Sequence, residues 1–296
     1  MQEASRTAPP PPADSLARGY LMILVCAVMW SFGGVFVKIL RQRYGLEPGA
    51  IACLRSAVAG LLLAWALPGL ATAPKWRTLA SGVTYAIVVG TFVIAVAGTT
   101  AANAILLQYA YPVFVAIGAV AFFHERLGRR TLAALGLGLA GVAIILICSW
   151  TPLEQVGLVC GFASSIAFAA LALLQHSIQA GNPVALSSFY NLTAALLLLP
   201  LAWGKLSISA EALLVVAAMG AFQLGIPYIL FIRGLRGVPA TDAALITLAE
   251  PVLNPVWVWL AVGEEPSAST LVGGSCILLA ILVRFLRWPA ARRGQP

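Results

Sequence analysis

Charged residues are scarce in this 296-residue chain. Only 9% of its residues are Asp, Glu, Lys or Arg, whereas 61% are hydrophobic and the mean hydropathy is +0.95. This composition excludes an ordinary soluble globular domain. It indicates a membrane protein, because a helix of about 20 mainly apolar residues crosses a hydrocarbon core of roughly 30 Å.

Residues and motifs for metal or nucleotide chemistry are also scarce. The two histidines have no cysteine or second histidine at ligand spacing, the five cysteines form no CxxC pair, and HExxH, Walker and GxGxxG patterns are absent. We therefore expect no metal and no cofactor. The formal charge of +8 comes from basic residues that flank apolar segments, not from a basic patch with interleaved aromatic residues, so we expect no nucleic-acid partner.

Ten apolar segments predict an all-α polytopic membrane protein with ten transmembrane helices, in contact with the lipid bilayer. Residues 1–18 are polar and proline-rich, which predicts a disordered cytoplasmic tail, and residues 289–296 form a second cytoplasmic tail. The predicted spans lie near residues 20–40, 48–67, 77–97, 101–123, 131–149, 155–176, 184–203, 209–232, 239–262 and 268–287.

The distribution of basic residues predicts the orientation. With ten spans both termini lie on one side of the membrane. If that side is the cytoplasm, thirteen of the 18 lysines and arginines lie in inside segments and four in outside loops, with Arg55 inside the second span. Cytoplasmic loops carry the excess of Lys and Arg, so both termini should be cytoplasmic.

The chain also contains an internal repeat. A shift of about 139 positions aligns NAILLQYAYPVFVAIGAVAFFHE (103–125) with DAALITLAEPVLNPVWVWLAVGE (242–264), so that Pro112 meets Pro251 and Glu125 meets Glu264. Each repeat, 19–150 and 151–288, holds five spans, and an odd number makes the second copy enter the membrane from the opposite side. Inverted repeats around a midplane site are typical of secondary transporters.

These features resemble the drug/metabolite transporter superfamily in its EamA-like branch. The resemblance rests on ten spans, the five-plus-five repeat, a proline central to the fourth and ninth spans, and a glutamate closing each (FFHERL, AVGEEP). The segments QYAYP and HERLGRR are similar to YddG-type exporters of aromatic and other amino acids. The resemblance implies a bacterial inner-membrane exporter with a central cavity. The chain departs from the expected pattern at Tyr111 and Glu250.

The ninth span carries the main candidate site. Thr247, Glu250, Asn254 and Trp257 share one helical face, and an ionised Glu250 near the centre of a span costs on the order of 2.5 kcal/mol or more unless it meets water, a counter-charge or a proton. Pro251 and Pro255 should kink the helix beside it. Glu250 could anchor a substrate amino group, carry a proton, or form a buried ion pair with Arg55 or His176.

Other spans offer further candidates for substrate contact. Gln108 and Tyr111 occupy the repeat-equivalent places of Thr247 and Glu250 and could bracket a substrate from the fourth span. Trp30, Tyr85 and Tyr228 add amphipathic rings inside the first, third and eighth spans, although helix packing is the commoner explanation for each such ring.

Four residues are candidates for gates or helix ends. Arg55 could take a substrate carboxylate, but its place near the start of the second span favours a gate or interface residue that reaches the outer surface. Glu125 and Glu264 should hold helix ends by accepting hydrogen bonds from backbone amides or by pairing with an arginine. His176, like Lys38 in the first repeat, should lie at a membrane interface.

The function that the sequence predicts is export of a small-molecule substrate, namely small metabolites and in the first place aromatic or other neutral amino acids, by alternating access. Export of cationic drugs or polyamines is the alternative. A membrane-embedded enzyme lacks a nucleophile–base set, and a channel lacks a charged ring. Small residues in GLGLAG (136–141) and GG (273–274) suit packing within a monomer or between the subunits of a homodimer.

Overall fold

All ten predicted spans are helical in the structure, which is a computed structural model describing residues 13–71, 73, 75–123, 128–176, 178, 182–204, 208–235, 238 and 240–285. The described ranges contain no β-strand. In chain order the first five spans are Ala13–Ser31 with Gly33–Gln42, Pro48–Leu62 with the 3-10 helix Ala64–Leu70, Lys75–Gly98, Ala101–Gln108 with Tyr111–Phe123, and Arg129–Cys148. The second five are Gln155–His176, Pro183–Ala202, Ala210–Ala218 with Met219–Gly225 and Ile226–Leu235, Ala240–Thr247 with Ala249–Val262, and Ala268–Phe285.

Length and apolar composition allow most of these segments to cross a membrane. Within the described ranges, seven helices could each cross a membrane, and the bent pair in the second span, with an angle of 73°, would add an eighth. The ninth span is divided into two short helices, and the apolar part of the tenth, Ala268–Val283, is shorter than the rest. The chain is therefore a polytopic helical membrane protein with the ten helical segments that the sequence predicts.

Packing between the spans follows the inverted repeat. The third span packs against the sixth, and the eighth packs against the first in the same way. The fourth packs against the sixth as the ninth does against the first, while the second–seventh and fifth–tenth contacts join equivalent spans. The main hydrophobic core takes buried residues from both repeats. The repeats thus form one bundle in which equivalent spans make equivalent contacts.

Two glycine pairs mark equivalent crossings in the two repeats. A Cβ at Gly157 would lie 2.4 Å from the carbonyl carbon of Gly98, where the sixth span meets the third. A Cβ at Gly234 would lie 2.9 Å from the carbonyl oxygen of Gly19, where the eighth meets the first. Both crossings therefore need a residue without a side chain, which is how closely packed membrane helices approach one another.

Small residues of the fifth and tenth spans pack against each other. A Cβ at Gly141 would lie 2.5 Å from the carbonyl oxygen of Gly273, and one at Gly273 would lie 2.7 Å from that of Gly141. Gly141 of GLGLAG and Gly273 of GG thus serve helix packing within the chain. Whether two chains also associate stays a prediction.

Candidate functional site

Four central spans are interrupted near mid-length. The first is broken at Phe32, the fourth at residues 109–110 and the ninth at Leu248, while the eighth winds into a π-helix at Met219–Gly225. Interrupted helices leave backbone groups without helical partners, and inside a membrane this is tolerated where protein or a cavity supplies new partners. Secondary transporters place their substrate sites at such discontinuities.

Prolines produce two of these interruptions at repeat-equivalent places. Pro251 has no N–H, and its ring crowds the carbonyl of Thr247, so the ninth span divides between Ala240–Thr247 and Ala249–Val262. Pro112 acts in the same way on the carbonyl of Gln108, the last residue of Ala101–Gln108. The break that the sequence predicts beside Glu250 is present.

Glu250 lies partly buried at the break in the ninth span and meets a tyrosine from the fourth. The hydroxyl of Tyr109 donates to Oε2 of Glu250 at 2.8 Å and lies 3.2 Å from the carbonyl oxygen of Thr247, which Pro251 leaves without a helical donor. Among the described side chains Glu250 forms no ion pair, and the side chain of His176, one predicted candidate for that pair, lies outside them. The carboxylate of Glu250 is the nearer of the two acceptors around this hydroxyl, which has a single hydrogen to donate.

Asn254 and Trp257 continue the polar face of Glu250 and contact the break in the first span. Asn254 is 1% exposed, and its Nδ2 donates to the carbonyl oxygen of Ser31 at 2.9 Å. Trp257 Nε1 donates to Oγ of Ser31 at 2.9 Å, and its ring stacks on Phe32 with centroids 5.2 Å apart. Their polar groups thus join the two interrupted spans, while substrate contact by either residue stays a prediction.

The fourth-span candidates lie beside the sixth span. Gln108 is buried, and its Nε2 donates to Ser164 Oγ at 2.8 Å, so its amide joins two helices. The ring of Tyr111 packs on Phe168, with centroids 4.4 Å apart. Tyr111 and Glu250 interact electrostatically, which places this ring near the carboxylate even though Tyr109 makes the direct contact.

The three remaining aromatic candidates have ring or polar contacts with other spans. The Tyr85 hydroxyl donates to Oδ1 of Asn191 at 3.2 Å. The hydroxyl of Tyr228 lies near those of Tyr190 and Tyr85. Trp30 packs on Phe231 with ring centroids 5.2 Å apart. Tyr85 and Tyr228 thus belong to a group of tyrosines between the third, seventh and eighth spans.

Arg55 does not reach the surface. The residue is 3% exposed, and its Nη1 donates to Oε1 of Gln223, on the π-helix, at 3.4 Å. The expectation of an arginine extending to the outer interface is therefore wrong. The second span packs directly against the π-helix, which covers the guanidinium.

Glu264 holds a helix end on the predicted outer side. It follows Gly263, whose φ of 70° turns the chain back at the end of the ninth span. Its Oε1 accepts from the backbone N–H of Ala101 at 2.6 Å, at the start of the fourth span, and its Oε2 lies 2.5 Å from Nζ of Lys38. This pairing uses lysine rather than arginine, and Lys38 is buried within the protein at the end of the first span. Glu125, the repeat equivalent, lies outside the described residues.

Two contact residues escaped the sequence analysis. Tyr109 and Tyr111 both stand in QYAYP before the proline, so the same pattern indicates either tyrosine. Gln223 was not considered, although it is a polar residue in an apolar span, a signal that could have identified it. In the described part of the chain, no group of three His, Cys, Asp or Glu side chains is placed to hold a metal ion.

Comparison with known proteins agrees with this architecture. The sequence model of the EamA-like transporter family matches residues 17–147 and again residues 155–286. An uncharacterized transporter of Archaeoglobus fulgidus is 30% identical over 200 residues, which are 66% of this chain and 71% of that protein. The pseudopaline exporter CntI of Pseudomonas aeruginosa is 26% identical over 279 residues, 91% of this chain and 96% of that protein.

A solved crystal structure superposes with a TM-score of 0.62 at 19% identity, covering 90% of this chain and 95% of the other, which shows the fold. The two family matches coincide with the two halves of the inverted repeat and together span most of the chain. The chain belongs to the EamA-like transporter family.

Proposed function

We propose that this transporter exports small metabolites that carry an amino group, most directly neutral amino acids, across the bacterial inner membrane by alternating access. One observation carries the proposal: the Glu250 carboxylate lies at a helix break in mid-span, with a tyrosine hydroxyl but no cation beside it in the described structure. A carboxylate inside a membrane protein needs a counter-charge or a proton, and a substrate ammonium supplies the first.

The two repeats differ in a way that indicates which side is open. All eight residues of Ala101–Gln108, in the outer half of the fourth span, are buried. Among the four side chains described in the equivalent helix Ala240–Thr247, only Ala243 is buried. We propose that the structure is the state open to the cytoplasm, with both termini on that side.

The contacts at the predicted outer end support this assignment. Lys38 pairs with Glu264 and also donates to the carbonyl oxygen of Thr99 at 2.8 Å. The Thr99 hydroxyl donates to Glu154 at 2.5 Å, and the Thr270 hydroxyl donates to Oδ1 of Asn103 at 2.7 Å. These bonds join the first, third, fourth and tenth spans with the loops beside them, so they would close the outer side and must break for substrate release.

Flux through reconstituted liposomes tests the proposed function. Labelled phenylalanine and leucine are compared with spermidine and tetraphenylphosphonium, each with and without a pH gradient. We expect the amino acids to move faster than in empty vesicles. Movement of the cations alone would favour the alternative, an exporter of cationic drugs or polyamines, which the carboxylate and the surrounding rings also suit.

Glu250→Gln isolates the carboxylate in the same assay. If Glu250 binds the substrate ammonium, the variant loses most transport while its melting temperature stays close to that of the unmodified protein. The matched control is Glu211→Gln, which removes the same charge from an exposed residue at the start of the eighth span and should transport normally. Normal flux in Glu250→Gln would contradict the proposal.

A further inference from the structure

Three elements meet at the predicted cytoplasmic end of the second span. The 3-10 helix Ala64–Leu70 lies at 73° to the rest of that span. The carbonyl oxygen of Gly69 accepts from the backbone N–H of Asn182 at 3.1 Å, where the seventh span begins. The 3-10 helix is therefore fixed beside the start of the seventh span, and the third span begins close by in the chain at Lys75.

A cavity of about 430 Å³ lies between these three elements. Its wall is mainly apolar and includes Leu67 and Leu70 of the 3-10 helix and Phe189 of the seventh span, while Lys75 and Thr78 are its polar lining residues. Phe189 lies six residues inside the seventh span, so the cavity extends about 9 Å along that helix from its start. A depth of this order, measured inward from the membrane surface, reaches the boundary between lipid headgroups and acyl chains. No candidate substrate residue lines the cavity.

The third span has an exposed apolar face that begins next to this cavity. Trp76, Leu79, Val83 and Ile87 are spaced by three or four residues, so they lie on one side of the helix, and all four are exposed. Exposed apolar side chains on a membrane helix contact acyl chains, and a tryptophan at a helix end lies at the level of the headgroups. The cavity therefore borders the lipid bilayer.

The charge beside the cavity is positive and unbalanced. Lys75 is exposed, and it forms no ion pair with any of the described residues. The Cζ atom of Arg77 lies 5.3 Å from the ring centroid of Trp76, so a second cation lies at the same helix end. The chain contains no Asp or Glu between Glu47 and Glu125. An apolar cavity with cationic side chains at the membrane surface suits an amphiphile that has an anionic headgroup.

We propose that this cavity binds one anionic phospholipid, with an acyl chain between the 3-10 helix and the third span and the phosphate beside Lys75 and Arg77. Phosphatidylglycerol presents a net negative charge to the two cations. Phosphatidylethanolamine carries an ammonium as well as the phosphate, so it presents no net charge, and the site should select phosphatidylglycerol. The lining residues lie outside the candidate substrate site, so lipid binding can fail while the proposed function stands.

Native mass spectrometry of the purified protein measures this selectivity. The protein in detergent is titrated with dioleoyl phosphatidylglycerol and, separately, with dioleoyl phosphatidylethanolamine. We expect phosphatidylglycerol to bind at least about fivefold more tightly, since one basic side chain near a membrane surface favours anionic lipid by about that factor. Glycerol phosphate, which has no acyl chain, should not displace the lipid. Displacement would overturn the proposal in favour of a soluble phosphate.

The double variant Lys75→Gln with Arg77→Gln removes both cations. It should bind phosphatidylglycerol at least about fivefold more weakly and phosphatidylethanolamine as before. The matched control is Arg129→Gln with Arg130→Gln, which removes two exposed arginines from the start of the fifth span on the same predicted side and should keep the selectivity. Lys75→Gln alone changes one exposed residue, should lose part of the selectivity, and does not depend on the contacts of Arg77.

Ala71→Phe tests the cavity itself, because it adds a ring to the cavity wall and keeps both cations. It should weaken phosphatidylglycerol binding at least about fivefold. Val83→Phe, which adds the same ring to the lipid-facing side of the third span, is its control and should bind like the unmodified chain. Full binding in Ala71→Phe, or full selectivity without Lys75 and Arg77, would overturn the proposal. An equal loss in the arginine control of the fifth span would do the same, because the selectivity would then come from the charge of the whole surface.

Discussion

The Tyr109 hydroxyl donates to the Glu250 carboxylate at 2.8 Å, beside the kink in the ninth span. A buried acceptor that loses its donor costs about 1–3 kcal/mol. We therefore expect Tyr109→Phe to lower the melting temperature and to slow amino-acid flux severalfold, because the carboxylate loses its fixed position. Tyr111→Phe, whose ring should keep its contact with Phe168, is the matched control. Equal effects of the two variants would show that Tyr109 has no special role.

The fourth span shows where sequence reasoning about the site reaches its limit, because Tyr109, not the repeat-equivalent Tyr111, makes the hydrogen bond to Glu250. The repeat places Tyr111 opposite Glu250, but Tyr109, in the turn at residues 109–110, makes the contact. Arg55 was placed at the surface because it is close to the start of its span. Its burial depends on how the π-helix packs over it, which periodicity does not reveal.

At the scale of helix pairs, the fifth and tenth spans make the clearest case for a packing constraint. A Cβ at Gly141 would lie 2.5 Å from the Gly273 carbonyl oxygen, whereas one at Gly136, a turn and a half earlier on the same helix, meets no atom within 4 Å. Overpacking a tight contact costs about 1–3 kcal/mol. Gly141→Ala should therefore lower the melting temperature, and Gly136→Ala should leave it unchanged or raise it, since alanine favours the helix by up to about 1 kcal/mol. The measurement is the melting temperature of both variants and of the unmodified protein in the same detergent.

The outer end of the fourth span depends on Glu264. Its carboxylate accepts from Ala101 and pairs with Lys38, and a negative charge is also favoured at a helix N-terminus. Glu264→Gln should therefore raise hydrogen exchange in Ala101–Gln108 severalfold and shift the protein toward its outward-open state. Lys38→Met should raise this exchange less, because the Glu264 carboxylate still accepts from the backbone N–H of Ala101 and still interacts with the dipole of that helix.

Glu265→Gln is the control for this gate, since it removes a neighbouring exposed charge whose contact is with Trp259. Hydrogen-exchange mass spectrometry in nanodiscs provides the measurement. Exchange in Ala101–Gln108 that is the same in all three variants would mean that these bonds do not close the outer side.

At the scale of the whole molecule, the apolar runs and the repeat predict the ten helical spans and the two halves matched by the family. The prolines also predict the interruptions of the fourth and ninth spans. The break at Phe32 was not predicted, because no proline follows it in the first span, and the π-helix was not predicted, although Pro227 follows it by two residues. Their partners, Asn254 on Ser31 and Arg55 on Gln223, come from distant parts of the chain. Local sequence does not record such contacts.

A repeat-matched pair of positions tests orientation and conformational state together. Leu107, in the outer half of the fourth span, is fully buried, and Ile246, its equivalent 139 positions later in the ninth, is partly exposed. In a chain whose five native cysteines are replaced by serine or alanine, Leu107→Cys and Ile246→Cys are labelled separately with a membrane-impermeant maleimide. If both termini are cytoplasmic and the cytoplasmic side is open, Ile246→Cys reacts at least tenfold faster in inside-out vesicles than Leu107→Cys does in intact cells. A water-soluble reagent reaches only the side that the carrier opens. Fast labelling of Leu107→Cys from outside would therefore contradict the assigned conformational state. Labelling of Ile246→Cys in intact cells would contradict the assigned orientation.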